Sequence, residues 1–198
     1  MKFSIEYWRE RKLKPLLTRV LGIQFRYRSE TSKVRHLLLP FCIGNGCDVG
    51  FGGDKISKDN CLGIDYAVPY ANTGRDAVDI ACDVITQDIP VADSSFDYVY
   101  TSHLIEDFPV TKDALKKFTR LLKLQGNLIL VFPDQKKYEA HCSAKGLPMN
   151  PHHIHEDMGL EFMRNELKGL EPVSYEEIYI NDCIIDYNVI MVLRLTNK

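Results

Sequence analysis

Cys47-Asp48-Val49-Gly50-Phe51-Gly52-Gly53-Asp54-Lys55 is the stretch around which the rest of the chain is organised. A short apolar strand meets an acidic residue and then a cluster of glycines. A second short strand, Cys61-Leu62-Gly63-Ile64, follows and ends on another carboxylate, Asp65. Glycine lets backbone amides approach a ligand where any Cβ would clash. An acid at the end of the next strand can accept hydrogen bonds from both hydroxyls of a ribose. The pattern reads as a nucleoside pocket at the carboxyl edge of a parallel sheet.

The spacing excludes the dinucleotide fingerprint G-x-G-x-x-G. Counted from Gly44 its third glycine is Val49, and counted from Gly50 it is Lys55. Only eleven residues, 50–60, connect the first two strands, whereas a parallel crossover normally takes a dozen or more. The first crossover helix is therefore expected to be one turn at most, or absent.

Strands and helices alternate along the rest of the chain. Strands are expected at Cys47–Val49, Cys61–Ile64, Val78–Cys82, Phe96–Tyr100 and Leu128–Phe132. The last of these is almost continuously apolar, as for a strand buried on both faces. A helix from Thr111 places Leu115, Phe118, Leu121 and Leu122 at helical spacing and closes at Gly126. Another is expected from Glu156 to Leu167. Strands near Val173–Ile180 and Tyr187–Leu195, linked through Asn181 and Asp182, then form an antiparallel hairpin. At the N-terminus the pattern gives a helix over 4–23 interrupted at Pro15, and a second from Glu30 to Leu39. This order predicts an α/β fold of three layers, a mostly parallel sheet closed by the C-terminal hairpin, with residues 1–45 as a helical basic segment packed on a domain of 46–198.

Four segments in order carry a family resemblance. Asp48-x-Gly50-x-Gly52-Gly53 resembles motif I of the class I S-adenosylmethionine-dependent methyltransferases, with Asp54 where the third glycine is usual. Asp83 through Ile89-Pro90-x-x-Asp93-Ser94-Ser95-Phe96-Asp97, then Ser102-His103-Leu104-Ile105-Glu106, then Arg120-Leu121-Leu122-Lys123-Leu124-Gln125-Gly126 are similar to the family's later motifs. The resemblance implies a Rossmann-like methyltransferase fold, S-adenosyl-L-methionine as cofactor, and methyl transfer to a small-molecule or sugar-containing, glycan-like acceptor. The alternative is a catalytically inactive protein of that fold that binds or scaffolds.

Carried over residue by residue, the resemblance puts Gly50, Phe51 and Gly52 against the methionine part of the cofactor and Asp48 near its ammonium. Asp65, with Tyr66 beside it, takes the ribose; Asp83 and Val84 take the adenine; Ser102 and His103 border the departing methyl group. Each has a plainer reading. Asp48 forms turns, Asp65 caps a helix, Asp83 is one more acidic loop residue, and Phe51 packs in the core. His103 is the first candidate for a general base, since histidine titrates near neutrality, or else makes a structural hydrogen bond under the sheet edge. The cluster Pro151-His152-His153-Ile154-His155 supplies His152 and His155 as further catalytic or acceptor-binding candidates, or as capping groups. Its i, i+1, i+3 spacing without a cysteine matches no strong metal signature, so no metal is expected.

Composition narrows the class. The fractions of apolar (45%) and charged (26%) residues are those of a globular protein. Six scattered cysteines without a C-x-x-C pair, no signal peptide and no apolar run long enough for a membrane span point to a cytoplasmic location. Residues 1–36 carry ten Lys/Arg against three Asp/Glu, while the remainder carries fifteen against twenty-four. That basic leader is either a solvated helix face or a contact for an anionic partner, including peripheral contact with a membrane surface. A nucleic-acid acceptor is not expected, because no recognition module or Asn/Asp-Pro-Pro-Tyr motif is present.

Overall fold

The strands pair in the order β3-β2-β1-β4-β5-β7-β6 in a single seven-stranded sheet of the computed structural model, which describes residues 13, 29–69 and 73–198. The expected helix over 4–23 and most of the basic leader lie outside the described residues. β1 (Gly46–Val49), β2 (Cys61–Asp65), β3 (Ile80–Ala81), β4 (Phe96–Ser102) and β5 (Leu122–Pro133) run parallel. β6 (Ser174–Ile185) and β7 (Asn188–Asn197) add an antiparallel hairpin beside β5. This is the three-layer α/β fold expected. Among the described residues no helix is long and apolar enough to cross a membrane.

Alternation along the central strands assigns the two faces. Leu128, Leu130 and Phe132 of β5, with Val189, Met191 and Leu193 of β7, pack with α2 (Thr111–Leu121) and α4 (Leu160–Lys168). Ile129, Val131, Ile190 and Val192 point the other way, with Tyr98 and Tyr100 of β4, onto Val34 and Leu38 of α1 (Glu30–Leu38). β5 is thus apolar at consecutive positions because both of its faces are covered.

The β1–β2 connection contains no helix, as its length demands. α1 covers that face instead, and Arg35 holds the connection to it. The Arg35 guanidinium donates to Asp54 Oδ1 at 2.6 Å, to the Lys55 carbonyl at 2.9 Å and to the Ile56 carbonyl at 3.2 Å. Ser29, the N-cap of α1, also donates to Asp54. Asp54, the departure from the motif's usual third glycine, is the anchor of this clamp. The Ile56 side chain is then fully buried in the face that α1 covers.

Several element boundaries differ from expectation. The strand expected over Val78–Cys82 is only Ile80–Ala81. α2 stops at Leu121, and Lys123–Gly126 belong to an irregular start of β5 rather than to the helix end. Lys123 bonds the Asp97 carboxylate at 2.8 Å, and a Cβ on Gly126 would come within 3.0 Å of the Asp97 carbonyl, so this segment lies close against β4. α3 (Gln135–Lys145) was not expected, having few apolar residues, yet Asp134 caps its start and Gly146, at φ 60°, its end. α4 begins at Leu160, four residues later than the pattern suggested. The closing hairpin turns at Asp186–Tyr187 rather than 181–182, with Asp186 at φ 54°. Asn181 is instead buried within β6, where it bonds the Ile184 amide at 3.0 Å.

If Arg35 fixes α1 over the open crossover, Arg35→Ala should lower stability by about 1.5–3 kcal/mol, the range for hydrogen bonds to charged groups. Arg35→Lys should restore little of it, because an ammonium cannot span the carboxylate and two carbonyls. Urea unfolding would show this; an unchanged midpoint for Arg35→Ala would remove the clamp from the account.

Candidate functional site

At the carboxyl ends of β1, β2 and β4 the sheet opens into a cavity of about 640 Å³. The glycine turn forms its floor. Gly50 (φ 72°) donates its amide to the Ile64 carbonyl at 2.8 Å, and Gly52 (φ 58°) donates to Asp65 Oδ2 at 2.9 Å. Side chains are strained in this left-handed region, and a Cβ on Gly50 would lie 2.8 Å from Leu104. Asp65 Oδ1 accepts from the Tyr66 amide at 2.7 Å. Each carboxylate oxygen therefore has one donor and can take another. Burial pushes the Asp65 pKa up against the pull of those two amides.

The structure brings together most of the residues chosen from the sequence. Gly50, Phe51, Gly52, Asp65, Tyr66, Val84, Ser102, His103 and His152 all line the cavity. Phe51 does double duty, since its ring also packs so closely on Gly63 that a Cβ there would come within 2.7 Å. Asp83 is not in the wall. Its carboxylate takes the Thr86 hydroxyl at 2.5 Å and the Ile85 and Thr86 amides at 3.1 and 3.3 Å, which lowers its pKa and fixes the turn that presents Val84. Tyr66 reaches it with a hydroxyl bond of 3.2 Å.

Asp48 is a correction. It is fully buried and absent from the wall, because strand alternation turns it to the face covered by α1. Its Oδ2 accepts the Ile56 amide at 2.7 Å, tying the glycine-rich connection back to β1. Burial drives its pKa well above the usual carboxylate range, more than the Ile56 amide pulls it down.

His103 stands at the end of β4 at φ 52°, with Nε2 2.8 Å from Asn188 Oδ1 and Nδ1 3.1 Å from Glu106 Oε1. Burial alone would lower its pKa; Glu106, Glu30 and Asn188 together lift it to about 9. Asn188 and Glu106 thus fix the orientation of the ring at the cavity wall. His155 lies outside the cavity and bonds the Phe108 carbonyl at 2.7 Å, next to the start of α2. Of the three histidines proposed for catalysis, His103 and His152 line the cavity and His155 does not.

Sequence reasoning missed the far wall. Ser29, Glu30 and Thr31 reach it from the start of α1, Thr73 from the loop after β2, and Asn150 from the segment after α3. The one signal for the first group was Ser29 before Glu30, a helix start; the N-cap Ser29 accepts the Ser32 amide at 2.9 Å. Thr73 donates its amide (2.7 Å) and hydroxyl (3.0 Å) to the Gly52 carbonyl, a contact between loops that spacing cannot reveal.

Asp48 gives a pH signature. Its folded-state pKa lies above its unfolded one, so its contribution is complete below about pH 4 and is lost as pH rises toward the folded value. Asp48→Asn, which keeps an acceptor for Ile56, should therefore be close to wild type in acid and gain on it as pH rises from about 4 to 8. Parallel stability curves for the two proteins across that range would contradict the assignment.

Comparison with known proteins agrees with this geometry. Residues 46–130 match the model of a methyltransferase domain. No curated protein matches the chain in sequence. Among solved structures, the PH0226 protein of Pyrococcus horikoshii OT3 is similar over 98% of this chain and 100% of its own, at 15% identity and a TM-score of 0.63. An S-adenosylmethionine-dependent methyltransferase from Archaeoglobus fulgidus is similar over 83% of this chain and 92% of its own, at 15% identity and a TM-score of 0.59. One from Mesorhizobium loti covers 84% and 98%, at 13% identity and a TM-score of 0.57. At such identities the likeness is one of fold. The cofactor fits the cavity chemically: a glycine turn that leaves room where side chains would stand, a carboxylate with acceptor capacity to spare, and an apolar slot at Val84 and Ile85. Residues 46–130 are thus those of a methyltransferase domain, on a sheet with the fold of the S-adenosylmethionine-dependent methyltransferases.

Proposed function

We propose that this methyltransferase acts on a small-molecule or sugar-containing acceptor held in the same cavity, opposite the glycine turn. One observation carries the reading. The cavity continues past the cofactor-facing residues to a polar wall of Ser29, Glu30, Asn150 and His152, which no cofactor contact requires. The cofactor supplies a methyl group already activated by its sulfonium. What remains for the protein is to align a nucleophile and exclude water, which can account for much of the rate.

In this reading Gly50, Phe51 and Gly52 hold the methionine part, Asp65 with Tyr66 the ribose, and Val84 the ring. Ser102 and His103 border the methyl group. Glu30 is ionised: burial raises its pKa, but His103, Lys33 and Asn188 outweigh that and leave it lowered. A carboxylate there suits hydroxyl-bearing or cationic acceptors. His152 contacts the acceptor, and His155 serves the fold.

Tritium transfer from labelled cofactor into fractionated cell extract tests the acceptor class. Label in the low-molecular-weight or glycan fraction is the expected result. Label confined to nucleic acid or protein would overturn the acceptor class, and no transfer in any fraction would favour a binding protein.

Two variants test the residue roles. Asp65→Ala should weaken cofactor binding by about 1.5–3 kcal/mol in calorimetric titration, the range for hydrogen bonds to a charged group, and also lower stability by freeing the Gly52 amide. Unchanged affinity in a folded variant would reject the ribose role. His152→Ala should raise KM with kcat nearly intact, as for a lost acceptor contact, whereas His155→Ala should lower the melting temperature. The opposite pairing would exchange their roles.

A further inference from the structure

Beside this cavity, three side chains converge in a way that methyl transfer does not call for. Glu106, in the 3-10 turn Ile105–Asp107, is 1% exposed, and neither carboxylate oxygen has a hydrogen-bond donor among the described residues. His103 Nδ1 stands 3.1 Å and His153 Nε2 3.6 Å from the same oxygen, Oε1. One ligand atom from each residue lies within 4.8 Å of the others. Burying a carboxylate without donors is costly, so a cation belongs next to it.

The groups behind the rings decide which cation. Asn188 donates its amide nitrogen to Glu30 Oε2 at 3.0 Å, so its oxygen faces His103, and Nε2 of that ring must be the N–H. Gln135 likewise donates to Glu139 at 3.0 Å, so its oxygen faces His153 Nδ1, at 3.1 Å, and that nitrogen must carry the proton. In its neutral form each ring then turns a lone pair toward Glu106. A proton on His103 would answer one contact and leave the His153 lone pair against a carboxylate oxygen. A divalent metal ion answers both. Ligating histidines with their second N–H fixed on an oxygen are also what metal centres require.

We propose that His103 Nδ1, Glu106 and His153 Nε2 form a divalent-metal site, of a class that suits zinc, in the wall of the cavity. Zinc holds nitrogen and carboxylate ligands at about 2.0–2.2 Å, which in a tetrahedron places them roughly 3.3 Å apart. The two contacts to Glu106 Oε1, at 3.1 and 3.6 Å, bracket that spacing, and the two ring nitrogens lie within 4.8 Å of each other. Three protein ligands leave one position for water or an acceptor group. His103 belongs to the cavity wall, which gives the ion an entry path. The ion would also tie the turn after β4 to the 150–155 segment, whose Ile154 amide already approaches the Glu106 carbonyl at 3.5 Å. The spacing within 152–155 concealed this set because the partners of His153 come from positions 103 and 106. The proposal stands independently of any acceptor.

The test is zinc titration of the chelator-treated full-length protein, by calorimetry or competition with a chromophoric chelator. One equivalent should bind with micromolar or tighter Kd. Glu106→Gln, which keeps the side chain's shape, and His153→Ala should each weaken binding at least tenfold, while the exposed His36→Ala should not. Cobalt(II) as a spectroscopic probe should give the visible absorption of a four- or five-coordinate nitrogen–oxygen site. Should Glu106→Gln not fold, the His153→Ala titration and the cobalt spectrum of wild type carry the test. Zinc binding only above about 1 mM, equal binding by wild type and His153→Ala, or loss of binding in His36→Ala would each overturn the site.

Discussion

Eleven residues between β1 and β2 are too few to carry a packed crossover helix, and that constraint shapes much of the molecule. A central parallel sheet must be covered on both faces. With no helix in the connection to cover Tyr98, Tyr100, Ile129 and Val131, the cover comes from α1, with Ile56 of the connection beside it. Arg35 makes that arrangement specific, since one planar fork meets the Asp54 carboxylate and two carbonyls of the connection. Bringing α1 there also brings Ser29, Glu30 and Thr31 to the cavity. The substitution of Asp54 for a glycine is therefore not a weakened motif. It exchanges one backbone freedom for an attachment that completes the site.

The half built on the glycine turn was legible in the sequence because it is local. Gly50 to Gly52, Asp65, Val84 and Ser102 each end a strand or stand within three residues of its carboxyl end, and strand order alone carries them to one edge. Asp48 was misread for a reason that is also local. A glycine motif says which residue ends the strand, but not which face that residue turns to, and the neighbouring Ile56 amide claims it. The opposite half was largely illegible because residues 29–31, Thr73 and Asn150 reach it from separate segments. No period or spacing links these segments. α3 escaped for a different reason: Tyr138 and Cys142 are its few apolar anchors, and its caps, Asp134 and Gly146, are weak evidence when no amphipathic run lies between them.

Polar chemistry at the sheet edge is divided in the same way. On the cofactor side, the carboxylates of Asp65 and Asp83 take backbone amides first, so their geometry is set before any ligand arrives. On the far side the charges hold one another. Glu30 takes Lys33 at 2.9 Å and Asn188 at 3.0 Å, and Asn188 in turn orients His103, which faces Glu106. Asn188 is fully buried at the start of β7, in the closing hairpin, while Glu30 belongs to the first described helix. The two ends of the described fold therefore meet through one amide at the cavity wall. A displacement of α1 would move Glu30, free the Asn188 amide and release the ring of His103. Cover of the sheet and shape of the far wall are thus set by the same contacts, and neither can change without the other.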